Sequence, residues 1–164
     1  MAFINKDQVK QIREALKKEF PEIKFSVRKE NYSSVHVTIL KSPYNFSDLP
    51  NYRTNCSTSV NHFYVPDCVH RRMFEKIITI IKTGSDRKWF DKSDSMTDYF
   101  HVAFYIHLYV GKFGVGHEMI SMEEARKQIR KNLDLPAKKY SKKKTKGISK
   151  SKANQLASDF MSSI

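Results

Sequence analysis

Tyr99-Phe-His-Val-Ala-Phe-Tyr-Ile-His-Leu-Tyr-Val110 is the stretch on which the fold turns. Its even positions, Phe100, Val102, Phe104, Ile106, Leu108 and Val110, are apolar without a break. Its odd positions are Tyr99, His101, Ala103, Tyr105, His107 and Tyr109. A period of two belongs to an extended chain, so the pattern predicts one long strand over 99–110. One face would meet a core and the other would display tyrosines and imidazoles. A strand with such unlike faces needs cover on one side only, which favours a mainly antiparallel sheet.

Working back toward the N-terminus, the period changes twice. Asn5 followed by Gln8 has the form of a helix N-cap with a capping box, and Asp7 suits the positive end of the helix dipole. Val9, Ile12, Leu16 and Phe20 recur at helical spacing, and Pro21 stops the run. From Lys24 the alternation is Phe25 and Val27 against Ser26 and Arg28. Glu30-Asn-Tyr-Ser33 turns the chain, and Val35, Val37 and Ile39 alternate with His36 and Thr38. That is a hairpin. Residues 41–60 are rich in turn formers and read as a long loop or as one hiding a short element. A short strand is expected at His62–Val65, then a helix capped by Asp67 with an apolar stripe at Phe74, Ile77, Ile78 and Ile81.

Beyond the long strand, Gly111, Gly114 and Gly116 mark a turn region. Ser121 and Glu124 open a third helix as a capping box, carrying Ala125 and Ile129 before Pro136. Lys152 to Met161 has the spacing of a short terminal helix. The sum is an α+β fold: a mainly antiparallel sheet with helices packed on one face and a flexible basic C-terminal tail. A single domain is expected over 1–135 and a lysine-rich tail over 136–164.

Charge separates those two parts. Residues 1–120 hold 18 Lys/Arg and 13 Asp/Glu, a net of +5, whereas the last 44 residues hold 12 and 4, a net of +8. The lysines of the tail are Lys138, Lys139, Lys142, Lys143, Lys144, Lys146, Lys150 and Lys152, against one acid, Asp159. Nothing between Tyr140 and Ile148 can be buried, so the segment reads as disordered when free. Lysine attracts phosphate as a point charge, which suits sequence-independent binding to DNA or RNA. A solvated, solubilising tail is the plainer reading of the same residues. No run of about 18 apolar residues suggests a membrane span, and the first ten residues lack the apolar region of a secretory signal. Two cysteines in 164 residues imply no disulfide framework, and the bacterial cytoplasm is the expected setting.

Three constellations bear on chemistry. Tyr99, His101, Tyr105, His107 and Tyr109 form a candidate stacking or partner surface, because flat rings accept bases; cover by a helix or loop is the plainer alternative. Trp89 with Asp91, Asp94 and Asp98 forms a candidate partner-contact loop. Its carboxylates could gather Mg²⁺ or Ca²⁺, but they do not follow the spacing of a calcium loop, and turn-making explains them as well. Cys56, His62, Cys68 and His70 do not follow a structural zinc spacing. No metal, cofactor or catalytic residue is assigned, since Walker, nucleophile-elbow, zincin and dinucleotide patterns are all absent.

Asn61-His-Phe-Tyr64, the helix around Phe74 to Ile81, the opening from Asn5 to Pro43 and above all Trp89-Phe-Asp-Lys-Ser-Asp-Ser-Met-Thr-Asp-Tyr-Phe100 resemble a large polyvalent protein-associated domain, number twenty-nine of that series. The resemblance spans roughly residues 1–115. It implies a phage or conjugative-element setting, within proteins thought to enter the recipient cell with the DNA, and it implies no defined catalytic activity. The reading that follows is a non-enzymatic accessory protein of a mobile element that binds nucleic acid through its basic tail and domain surface. The rival is an inhibitor that contacts a host nucleoprotein defence complex directly, of anti-CRISPR or anti-restriction type.

Overall fold

A computed structural model describes residues 2–133 except Ser95 and Asp98. The tail over 136–164, its eight lysines and the terminal helix expected there lie outside the described residues, as does Asp98 of the Trp89 loop.

The N-terminal helix, α1 (Lys6–Glu19), begins as its capping box dictates: the Gln8 backbone N–H donates to Asn5 Oδ1 at 2.7 Å, and the Asn5 N–H donates to Gln8 Oε1 at 3.0 Å. Two orphan donors of the first turn are thereby satisfied. Val9, Ile12 and Leu16 are buried on one side of it. After Pro21, β1 (Lys24–Glu30) and β2 (Ser34–Ser42) pair antiparallel around a turn in which Asn31 and Tyr32 take positive φ. Of the loop expected over 41–60, Lys41 and Ser42 belong to β2, residues 43–57 form a loop pinned by buried Phe46 and Leu49, and the hidden element is β3 (Thr58–Val60).

The second helix, α2 (Arg71–Thr83), buries Phe74, Ile77, Ile78 and Ile81, the expected stripe. Two expectations before it need correction. The strand lies at 58–60 and not at His62–Val65, where the chain turns on the Asn61 side chain, whose Oδ1 accepts the Phe63 N–H at 2.8 Å. The helix starts four residues after Asp67, with His70 at the N-cap and no side-chain cap bond. Asp67 instead lies 3.9 Å from Arg71 as a loose ion pair.

The long strand is also shorter than its alternation implies. Only Tyr105–Val110 forms β4. Residues 99–103 pair back on 90–94: Asp94 and Tyr99 exchange backbone hydrogen bonds, and the Ala103 N–H donates to the Phe90 carbonyl at 2.9 Å. Ala103 and Phe104 are then both fully buried, so the two-sided alternation is lost there, and Phe100 is 69% exposed although it belongs to the apolar series. A period of two reports extended backbone without reporting its partner.

After Gly111, Gly114 and Gly116, all at positive φ, the chain adds β5 (Glu118–Met119) and α3 (Met122–Asn132), which opens on the expected Ser121–Glu124 capping box. The strand order is β1-β2-β4-β3, with β5 pairing the end of β2. β1 with β2 and β3 with β4 pair antiparallel, while β2 runs parallel to β4 at the centre, the two joined through β3 and α2, and parallel to the short β5. The architecture is α+β, as the order of elements implied. Helices α1 and α2 bury the side of the sheet carrying Val35, Val37, Ile39, Ile106, Leu108 and Val110. Sealing an aliphatic side chain from water contributes about 1.5–3 kcal/mol, so this layer carries the stability of the domain.

Candidate nucleic-acid interface

The parallel register of β2 on β4 decides what stands on the other side of the sheet. His36 lies opposite His107, Thr38 opposite Tyr109 and Ser34 opposite Tyr105. The His36 and His107 rings approach to 4.4 Å between centroids, His107 stacks on Tyr109 at 6.4 Å with planes 8° apart, and His36 reaches Tyr109 at 5.9 Å. Antiparallel β1 adds Arg28 opposite His36 and Glu30 opposite Ser34. Glu30 Oε2 reaches His36 Nε2 at 2.9 Å. Beside these rings, Ser26, Arg28, Thr38, Leu40 and Lys112 line a shallow depression of about 150 Å³. On this face Ser34 and Thr38 are buried, His36, His107 and Tyr109 are half-buried and Tyr105 is exposed, so the rings keep contact with solvent.

Burial disfavours the charged form of His36. Burial pushes the His36 pKa below the ordinary imidazole value, and proximity to His107 and Arg28 pushes the same way, outweighing the opposing pull of Glu30. His62 is lowered by burial and then by Lys82 and His107. Neutral imidazoles are flat, weakly hydrated rings with one donor and one acceptor each, suited to stacking and to base edges.

The five-residue surface expected from the sequence is divided by the fold. Tyr105, His107 and Tyr109 share the sheet face. Tyr99 and His101 precede β4 and belong to the 90–103 hairpin, where His101 packs edge-on against Phe90 at 5.1 Å and lies 5.7 Å from Tyr99. The β1–β2 register adds Arg28 and Glu30 to the face, and Lys112, just after β4, lines the depression beside it.

The Trp89 loop is built for local order. Trp89 Nε1 donates to the Phe104 carbonyl at 2.8 Å, and Lys82 Nζ lies 4.4 Å above its ring. The Ser93 side chain, and then its backbone N–H donating to Asp91 Oδ1 at 2.9 Å, hold the Asp91 carboxyl below its ordinary value. Asp94 accepts from the Met96 N–H and from Thr97 Oγ1. These carboxylates are spent on turns. Among the described residues no three His, Cys, Asp or Glu side chains converge to hold a metal ion. His70 packs instead between Tyr44 and Phe46, and Cys56 and Cys68 are unpaired thiols.

One pairing gave no signal in the sequence. Ser42 Oγ and His117 Nε2 are hydrogen-bonded at 2.9 Å across 75 residues. Ser42 is fully buried, and burial lowers the His117 pKa. A hydroxyl without access to solvent cannot attack a substrate, so this pair ties β5 to the end of β2.

The hairpin that carries Arg28, Glu30 and His36 lies within the one segment with an outside counterpart. Residues 4–63 match the family model described as large polyvalent protein associated domain 29. The domain-29 match takes in α1, β1, β2 and β3 and ends at Phe63. It bears out the resemblance over its N-terminal half, while the helix around Phe74 and the Trp89–Phe100 block lie beyond it. The domain-29 match associates the chain with phages and other mobile elements. No curated protein and no solved structure matches the chain. No helix among the described residues is long and apolar enough to cross a membrane.

Proposed function

We propose that this protein is a non-enzymatic accessory protein of a mobile element, working in the host cytoplasm, that binds nucleic acid through its lysine tail and the imidazole–tyrosine side of the sheet. The observation that carries the reading is the ring ladder of His36, His107 and Tyr109, left unsealed beside Arg28 and Lys112. Stacking on such rings contributes about 1–3 kcal/mol per base and tolerates any sequence. The eight lysines over 138–152 supply the complementary attraction for phosphates.

Fluorescence anisotropy with a labelled 20-nucleotide single strand, and with its duplex, tests this at two salt concentrations. If all eight tail lysines engage duplex phosphates, log K falls against log salt with a slope of about −7. Replacing the eight lysines with glutamine flattens that slope and weakens binding. An affinity indifferent to salt overturns the reading.

Phe63 and Tyr64, 65% and 71% exposed beside the Trp89 loop, favour a second reading in which the protein inhibits a host defence complex by direct contact. A partner retained on the bait after nuclease digestion supports that role; a partner lost with the nucleic acid supports the first.

A further inference from the structure

On the far edge of the sheet from β3, between α1, the start of β1 and α3, runs a groove of about 700 Å³. Lys10, Arg13 and Lys17 project into it from one face of α1, Lys24 from β1, and Lys127 and Lys131 from α3. Glu14 is the one carboxylate in its lining, and Ile23 and Phe25 form an apolar floor. The domain through residue 133 carries 22 Lys/Arg and 15 Asp/Glu, a net of +7, so six cations around one groove is a strong concentration.

These charges are not neutralised locally. Among the described residues, Lys10 alone of the six has a carboxylate within ion-pair distance, Glu14 at 4.0 Å, and both are exposed. Exposed pairs of that kind contribute about 0–1 kcal/mol. Nor is α3 held there by burial, since Ala125 is its one buried residue. Side-chain hydrogen bonds hold it instead: Gln128 Nε2 donates to the Glu22 carbonyl at 3.2 Å, and Asn132 Nδ2 to the Pro21 carbonyl at 2.7 Å. The amides fix Lys127 and Lys131 opposite the basic face of α1. Arg13 is fixed too, its Nη2 donating to the Val27 carbonyl at 2.7 Å.

We infer that this groove binds the phosphodiester backbone of a nucleic acid. Like charges held across a gap repel, and an anion between them removes that repulsion, which gives the groove a differential affinity for negative ligands. Lys10 and Lys17 are separated by about 10 Å along the helix, at 1.5 Å per residue, a span that takes more than one phosphate. The half-buried Phe25 ring on the floor offers a base or sugar an apolar surface. The groove and the lysine-rich sequence that follows α3 are both basic, so one polyanion has charge complementarity with both. The inference rests on the nucleic-acid reading and extends it to a site on the folded domain.

The test uses the full chain and labelled 20-nucleotide DNA, RNA of the same sequence and the DNA duplex. The K10Q/K17Q/K127Q/K131Q variant loses at least tenfold in affinity near 0.1 M salt and its salt slope flattens by about 3, at roughly 0.7–0.9 per phosphate contact. R71Q/R72Q, which removes charge from α2 outside the groove, changes affinity by less than twofold. The Ile23 methyl resonances shift during titration of the unaltered protein, a readout that needs no variant to fold. If the groove variant binds with unchanged affinity and slope while loss of the tail lysines abolishes binding, the groove inference is overturned and the nucleic-acid reading stands. If the unaltered protein binds none of the three probes, both fall. Displacement of the probe by polyglutamate as readily as by unlabelled oligonucleotide overturns the groove as a phosphodiester site in favour of an acidic protein.

Discussion

On the helix side of the β2–β4 pair, Val35, Val37 and Ile39 alternate with Ile106, Leu108 and Val110, and none is more than 5% exposed. On the other side Ser34, His36 and Thr38 lie opposite Tyr105, His107 and Tyr109, and exposure rises to 44% at Tyr105. One register generates both sides, because successive residues of a strand point to opposite faces. The difference lies in what each side can exchange with its surroundings. Aliphatic side chains sealed by α1 and α2 contribute packing and hydrophobic stability and little else. Rings left beside solvent contribute less to stability, and they keep donors, acceptors and flat surfaces available to a ligand.

The largest effect that can break this division is a cavity on the sealed side. Leu108→Ala destabilises the protein by about 2–5 kcal/mol, the range for large-to-small changes in a packed core, read as a drop in the urea midpoint. A cost below about 1 kcal/mol would mean that this side is not the core. Tyr105→Ala, across the sheet, reverses the pattern: stability moves by about 0.5 kcal/mol or less. Single-strand affinity falls by about 1–3 kcal/mol if a base stacks there. Parallel urea melts and anisotropy titrations of the two variants sharpen the contrast. Trp89→Phe removes the indole donor to the Phe104 carbonyl, where the chain enters β4. Its expected cost is about 1 kcal/mol with nucleic-acid affinity unchanged, and a loss of affinity at full stability would move the binding surface to the Trp89 loop.

The smallest effect is on pH dependence. His36, His62 and His117 have pKa values lowered in the folded protein, chiefly by burial. The unfolded chain therefore binds protons first as pH falls, and stability is lost as pH drops from about 6.5 toward the lowered folded values. Urea midpoints between pH 7.5 and 5.5 decrease, and His36→Gln reduces the decrease. A midpoint that rises on acidification would show that the Glu30 pair, and not burial, governs His36.

Much of the helix side was legible. The two capping boxes at Asn5 and Ser121 and the stripe from Phe74 to Ile81 are local codes, written within one or two turns of chain. The segments that misled were those where local pattern and long-range partner disagree. Residues 99–104 alternate like a strand, yet they pair with 90–94 and are threaded past the backbone of Phe3, whose N–H donates to the Ala103 carbonyl at 2.8 Å. Asp67 has the chemistry of a cap, but α2 starts later, where Phe74 can meet Phe46 at 5.5 Å. β3 is three residues long, too short for alternation to register. Of the candidate surface, Tyr105, His107 and Tyr109 were readable as one face. Their neighbour Arg28 was not, because strands adjacent in space are distant in sequence; Lys112 follows the positive φ of Gly111, past which alternation no longer assigns a face.

By itself, then, the sequence determined where α1 and α3 begin at their capping boxes, the apolar stripe of α2, the β1–β2 hairpin and how the positive charge divides between residues 1–120 and the last 44. Those properties depend on neighbours within a few residues. The parallel pairing of β2 with β4, the His36–His107–Tyr109 ladder, the Ser42–His117 bond and the groove that sets Lys10 and Lys17 across from Lys127 and Lys131 were decided only by the tertiary structure. Each joins groups dozens to more than a hundred residues apart. Their meeting depends on how every apolar face in the chain is buried at once, and no local period or spacing records that solution.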